Sequence, residues 1–152
     1  MLDKNELVPF IMDLFARRGM EEYMGEPVSM AQHMEQTAAC ASIDNAPDEL
    51  VIAALLHDIG HFVGDFPIDA LENGIDNCHE EVAAEFLSPY FPKAVTEPIR
   101  LHVPAKKYLC ATDTHYYDQL SEASKQSLEV QGGLMNKDEV IQFETNYYYK
   151  EA

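Results

Sequence analysis

Basic residues are scarce in this chain. Ten Lys and Arg stand against 27 Asp and Glu over 152 residues, a formal net charge of −17. That balance argues against nucleic acid as a partner, because a phosphate backbone is met by clustered Lys and Arg. Cysteine is nearly as sparse. Cys40, Cys78 and Cys110 cannot all pair and show no CxxC spacing, so free thiols in a reducing cytoplasm are expected rather than a disulfide framework. No apolar run approaches the length of a membrane span, and no basic-then-apolar leader opens the chain, so neither a membrane partner nor export is expected. Strict period-two alternation is also missing, which leaves all-α as the expected fold class.

A hydrophobic fraction of 47% is enough for a packed core, and the length suits a single domain over residues 1–152. No repeat, low-complexity stretch or linker divides the chain. The few basic residues are uneven: Lys93, Arg100, Lys106, Lys107 and Lys125 fall between positions 93 and 125, with only Glu97, Asp113, Asp118 and Glu122 beside them. Such a segment is either an irregular solvated surface or a place where a small anion enters. Oligomeric state is not legible.

Local signals divide the chain into helices. Asn5 to Arg18 reads as the first, stopped by Gly19. Tyr23 to Pro27 reads as a loop. Ser29 with Gln32 is a capping-box pattern that opens a helix bearing His33 in its first turn. Pro47 suits the first turn of the next helix, which delivers His57 and Asp58 near an end closed by Gly60. Residues 62–77, with Gly64, Pro67, Asn73 and Gly74, read as loop. A helix with His79 in its first turn follows, then a break over residues 88–92. A short helix from Lys93 to His102 is expected to end before Pro104. Ser121 to Val130 is helical, Gly132 and Gly133 break it, and Asn136 with Glu139 caps a last helix.

The chemistry lies in the histidines. His33, His57, His79 and His102 are separated by 24, 22 and 23 residues, each gap about one helix plus one connection. Successive helices can therefore return one imidazole each to the same level of a bundle. Asp58 follows His57 directly, and its two oxygens can bridge two ions. Four imidazoles with a carboxylate favour iron or manganese over structural zinc, which would recruit the cysteines. His61 can face the same cavity without ligating. His115 reads as surface. Lys106 lies one turn past His102 as a mobile point charge for an anion. Ser124, Ser127 and Gln131 recur at helical spacing and present hydroxyls and an amide on one face, which is equally the polar side of a surface helix. Glu26 and Tyr23 suit a substrate ammonium group or simple loop packing.

The order His, His-Asp, His, His on consecutive helices resembles the HD-domain superfamily, and His79 with His102 matches its two-metal subset. Longer runs are similar to the PhnZ-type organophosphonate oxygenases, relatives of myo-inositol oxygenase. These are Tyr23-x-Gly-Glu-Pro-Val28, Gln32-His33, Leu55-Leu-His-Asp-Ile-Gly-His61, His102-x-x-Ala-Lys106-x-Tyr108-Leu, and Leu120-Ser-Glu-Ala-Ser-Lys-Gln126 through Gln131-Gly-Gly133. The resemblance implies an HD-domain helical bundle and a mixed-valent Fe(II)/Fe(III) pair that uses O2 to cleave a carbon–phosphorus bond. The implied substrate is a small 1-hydroxy-2-(amino or alkylammonio)ethylphosphonate, giving phosphate and glycine or an N-methylated glycine such as glycine betaine. By motif, His33, His57 and Asp58 hold one iron, and His79 and His102 the other, with Asp58 bridging. Tyr23 and Glu26 form a lid, Lys106, Ser124, Ser127 and Gln131 hold the phosphonate, and His61 lies close to the substrate.

One departure from that pattern stands out. The family completes its first iron with a late Asp in an Arg-x-Trp-Asp-like context, and this chain has no tryptophan and no Asp beyond Asp138. The family's last helix is therefore expected to be missing or shortened, or its ligand replaced by water or another carboxylate. Asp138 itself suits the helix dipole at the start of the last helix. The competing activity is a metal-dependent phosphohydrolase of a nucleotide or other phosphoester, in which activated water attacks phosphorus without O2. A non-enzymatic metal-dependent binding domain with a degenerate site is the third reading.

Overall fold

The computed structural model describes residues 2–23, 25–64, 66 and 73–152. Among these there are nine helices and no strand: α1 Lys4–Arg18, α2 Met30–Ile43, α3 Asp48–Leu56, α4 Gly60–Val63, α5 His79–Leu87, α6 Lys93–Thr112, α7 Thr114–Gln119, α8 Glu122–Val130 and α9 Lys137–Glu144. The all-α expectation holds. None of these helices is long and apolar enough to cross a membrane.

Local chemistry fixes most helix starts. Asp3 and Glu6 form a reciprocal capping box at α1, Ser29 and Gln32 at α2, and Asn136 and Glu139 at α9. Ser121 Oγ accepts from the Ser124 N–H and opens α8. Gly132 and Gly133, at φ +96° and +74°, end it as their sequence predicts.

Tertiary packing then sets the layers. Helix α3 lies against α2 and α6, and α5 lies against α6 and α4. The core between them is made by Met34, Ile59, Leu87, Val95 and Ile99, each almost wholly removed from water. Burying side chains of this size is worth about 1.5–3 kcal/mol apiece. Arg18, at the end of α1, donates to the carbonyls of His61 and Phe62 at 3.0 and 2.9 Å, and so ties α1 to the turn that bears the site.

Four local expectations are corrected. Helix α6 does not stop before Pro104 but runs through both Pro98 and Pro104 to Thr112. A helix-interior proline costs about 3 kcal/mol. Here Val95, Thr96, Pro98, Ile99, Val103, Ala105 and Cys110 are buried along its length, which outweighs that cost. Pro47 is the N-cap of α3, not a first-turn residue. Gly60 does not close α3: His57 is its C-cap, and Gly60 opens α4. The cause is a close approach, because a Cβ on Gly60 would lie 2.0 Å from the His79 carbonyl oxygen. Finally, α7 lies in a stretch given no element by its sequence. Its start is capped by Asp113, whose side chain accepts from the N–H groups of His115 and Tyr116. The Pro67 loop signal lies outside the described residues.

Candidate metal centre

One buried carboxylate organises the site. Asp58, in the turn after α3, is about 1% exposed. Its Oδ2 lies 3.1 Å from His57 Nε2 and 3.4 Å from His33 Nε2, while its Oδ1 lies 3.1 Å from His79 Nε2 and 3.6 Å from His102 Nε2. The two oxygens are thus divided between two imidazole pairs. Within each pair the nitrogens stand 3.1 Å apart, His33 to His57 and His79 to His102. The matched sequence spacing delivers this arrangement: α2 supplies His33, the end of α3 His57, the start of α5 His79 and the middle of α6 His102.

The hydrogen bonds behind the rings decide what the inward nitrogens offer. His57 Nδ1 lies 2.8 Å from the Ala54 carbonyl, and His102 Nδ1 lies 2.7 Å from the Ile99 carbonyl. A carbonyl only accepts, so each Nδ1 carries a proton, and loss of any proton at Nε2 leaves each ring with a lone pair turned inward for a cation. Such lone pairs facing a carboxylate and one another are satisfied by cations. Asp58 Oδ2 accordingly accepts no hydrogen bond among the described residues despite full burial. Burial pushes the Asp58 carboxyl up, but the facing imidazoles of His57, His102 and His79 overturn this and hold it well below the usual carboxylate range. The donor set fits two divalent or trivalent metal ions with Asp58 between them.

Two triads have ligand atoms within 4.8 Å of one another: His33, His57 and Asp58, and Asp58, His61 and His79. His61 Nε2 stands 3.9 Å from Asp58 Oδ1, and its ring stacks on that of His79 at 4.1 Å. Desolvation drives His61 and His102 down to about 4, so both are neutral near pH 7. His33 is also lowered, by burial.

The remaining predicted residues surround this centre. A cavity of about 420 Å3, mostly apolar, opens beside it and is lined in part by Tyr23, His33, His57, His102, Lys106 and Tyr116. Lys106 Nζ donates to Ser127 Oγ at 2.6 Å, joining α6 to α8. Burial lowers the Lys106 ammonium from its ordinary value. A small pocket on one side of this bridge is lined by His61, Asn77, His79, Ser127 and Gln131, and another by Tyr23, Glu26, Ser124 and Ser127. Gln131 Oε1 is buried without a hydrogen-bond partner among the described residues.

Tyr23 and Glu26 sit in a tight turn. The Tyr23 N–H donates to the Val28 carbonyl at 3.0 Å and the Glu26 N–H to the Tyr23 carbonyl at 2.8 Å, with Gly25 at φ +79°. The Tyr23 ring lies flat on His33, and the Glu26 carboxylate accepts from Ser121 Oγ at the start of α8.

Residues 27–130 match the model of the HD domain family. The chain is 49% identical over 145 residues to the [1-hydroxy-2-(trimethylamino)ethyl]phosphonate dioxygenase (glycine-betaine-forming) of Leisingera caerulea, covering 95% of this chain and 74% of that protein. It is 44% identical over 149 residues to the hydroxymethylphosphonate dioxygenase of Gimesia maris (strain ATCC 29201 / DSM 8797 / 534-30), covering 97% of this chain and 73% of that one. The chain belongs to the HD-domain family. Within it, the chain is a member of the PhnZ-type phosphonate-oxygenase branch.

This HD domain brings all twelve residues singled out in its sequence around one centre, in the imidazole–carboxylate cluster or as pocket walls. Two other residues keep to the surface as expected. His115 is exposed, and Asp138 is exposed in the first turn of α9. Among the described residues no second carboxylate joins the His33, His57 and Asp58 triad. Two residues of the site carried no sequence signal. Tyr116 lines the large cavity from α7. Asn77, at the end of the stretch that reads as loop, bridges His61 and His79.

Proposed function

We propose that this HD domain is a diiron oxygenase that cleaves the carbon–phosphorus bond of a 1-hydroxy-2-(amino or alkylammonio)ethylphosphonate, with the trimethylammonio compound preferred. The observation that carries this is the division of the Asp58 oxygens between two imidazole pairs, which is the donor pattern of a bridged dinuclear centre. Support for the substrate comes from the phosphonate dioxygenases to which the chain is similar, and from the cavity walled by Tyr23 and Tyr116. Aromatic and apolar walls suit a quaternary ammonium group, which has no N–H to satisfy.

His33, His57 and Asp58 would hold one iron, and Asp58, His79 and His102 the other. When bound, a mixed-valent Fe(II)/Fe(III) pair supplies redox activation of O2 and Lewis acidity toward the substrate oxygens. The chain's own residues do the rest. Lys106, held on Ser127, presents a partly desolvated ammonium to the phosphonate, and Ser124 and Gln131 add directed polar groups. The Tyr23 phenol is kept protonated by burial and by the charges of Asp58 and Glu26, so it acts as a neutral wall and donor over the site. With Glu26 latched to Ser121, the turn shields the reacting carbon from water. The reaction balances as R–CH(OH)–PO3H2 + O2 → R–COOH + H3PO4. The C–P and C–H bonds break, the carbon is oxidised to a carboxylate, and phosphorus leaves as phosphate.

An oxygen-electrode and phosphate-release assay on the iron-loaded protein tests this, using paired 2-amino and 2-trimethylammonio hydroxyphosphonates. One O2 consumed per phosphate released is the expected result. Phosphate release that persists without O2, or with Mn(II) or Mg(II) alone and a phosphoester as substrate, identifies a hydrolase instead.

A further inference from the structure

We propose that Asn77 is a positioning residue that fixes His79 and His61 in opposite tautomers, making one a metal ligand and the other a hydrogen-bond donor to the substrate. The inference rests on the assignment of His79 as a ligand. Asn77 Oδ1 lies 3.2 Å from His79 Nδ1, and Asn77 Nδ2 lies 3.4 Å from His61 Nδ1. A ligating His79 must offer a bare Nε2, so its Nδ1 carries the proton and needs an acceptor. That requirement orients the Asn77 amide with its oxygen toward His79. Its NH2 group then faces His61, whose Nδ1 must accept, and the proton of the neutral His61 ring is left on Nε2.

The same side chain thus gives two stacked rings opposite polarity. The His61 and His79 planes are 21° from parallel with centroids 4.1 Å apart, so neither ring can tilt out of its plane without losing the stack, and the Asn77 contacts select which edge faces the amide. His61 Nε2 is buried and has no hydrogen-bond partner among the described residues. It borders the small pocket shared with His79, Ser127 and Gln131. A lone buried N–H donor at the edge of such a pocket is matched by an acceptor oxygen, here one from the phosphonate or from the hydroxyl of the substrate. This separates His61 from the imidazoles it adjoins. Distance alone groups His61 with Asp58 and His79 as a ligand set, whereas the Asn77 amide assigns it the role of donor.

The test is a long-range 1H–15N correlation spectrum of the zinc-substituted, [15N]histidine-labelled protein, since zinc is diamagnetic and needs no turnover. His61 is expected as the Nε2–H tautomer and His79 as Nδ1–H with Nε2 on the metal. A His61 with Nε2 on zinc, or with the proton on Nδ1, overturns the proposal. Asn77→Asp keeps an acceptor for His79 and removes the donor to His61. It should retain two zinc ions per chain while His61 acquires a proton on Nδ1, and an Nδ1 that stays bare also overturns the proposal. Asn77→Leu, which frees His61 without adding charge, should weaken inorganic phosphate binding to the zinc protein roughly 10-fold, the scale of one hydrogen bond to a charged group. Unchanged phosphate affinity counts against the donor role. None of these readouts depends on oxidation, so failure to consume O2 sinks the proposed activity and leaves the tautomer result standing.

Discussion

The Tyr23 ring stacks on the His33 imidazole with centroids 3.8 Å apart and planes 11° from parallel. The stack joins the turn after α1 to a ligand of the proposed centre, so one side chain both covers the site and holds a ring in place. Tyr23→Phe keeps the stacking face and should retain full metal content with a small change in KM. Tyr23→Ala removes it, and should weaken metal retention at the His33 position and raise KM roughly 10-fold or more, as expected for an aromatic contact plus lost shielding. Metal analysis and steady-state kinetics on the two variants separate stacking from the phenol itself.

Asp58 carries a sharper expectation because it serves both imidazole pairs. Asp58→Ala should abolish retention of both metals together, whereas His33→Ala should lose one and keep the other. Metal content per chain by mass spectrometry reads this directly. An Asp58→Ala protein that still holds one full equivalent rules out the bridge.

The convergence of these side chains is legible in the sequence for a specific reason. One imidazole per helix at intervals of 24, 22 and 23 residues is a pattern that chain geometry alone converts into convergence. The capping boxes at Ser29 and Asn136 and the stop at Gly132 and Gly133 were legible too, since each is a contact within a few residues. Legibility failed where distant contacts decide. The run of α6 through Pro104 depends on apolar surface brought from elsewhere, so the proline signal misled. Gly60 reads as a stop, and only the backbone of α5 lying against it shows why it is glycine. Asn77 and Tyr116 act across elements, and nothing near them in the chain announces that.

Acid should destabilise the metal-free protein over a defined window. His61 and His102 fall to about 4 in the folded state from an ordinary value of 6.5, and His33 is lowered as well. Groups depressed by folding bind protons more readily when unfolded. Their stabilisation is present above about pH 6.5 and is lost as pH falls toward 4, by about 3 kcal/mol for each of the two strongly shifted rings. The depressed Asp58 carboxyl adds loss in the same direction below its ordinary value of 3.8. His57 runs the other way: burial lowers it, but Asp58 and the Ala54 carbonyl outweigh that and raise it, so its contribution fades as pH rises. The net expectation is a urea midpoint that declines between pH 6.5 and 4. A flat profile would contradict the burial of these imidazoles.

Lys106 bears on substrate binding more than on folding. Its ammonium is half-buried and bonded to Ser127, poised where a phosphonate would lie. Lys106→Met keeps the stem and removes the charge, and should raise KM for the phosphonate roughly 10- to 100-fold, the scale of a hydrogen bond to a charged group, with metal content unchanged. Lys106→Arg should not rescue it, because the planar fork cannot occupy the space of a point charge against Ser127. Rescue by arginine would place the anion elsewhere.

Gly60 links the backbone to the proposed metal centre. It needs no special dihedral, since its φ is not in the positive range that favours glycine. What it needs is room: a Cβ there would meet His79 O at 2.0 Å, His79 C at 2.8 Å and Ala83 N at 3.1 Å, all backbone of α5 that cannot swing aside like a side chain. Gly60→Ala must therefore push the start of α5 away from α4, and His79 with it. The stability loss should reach about 3 kcal/mol, the upper end for an overpacked core, read as a lowered denaturation midpoint. The displaced ligand gives a second signature. His79 serves only one imidazole pair, so the folded fraction of Gly60→Ala should hold about one metal fewer per chain than the wild type, while the His33, His57 and Asp58 triad stays loaded. Equal loss of both metals would mean that α5 supports the whole centre and not one half of it.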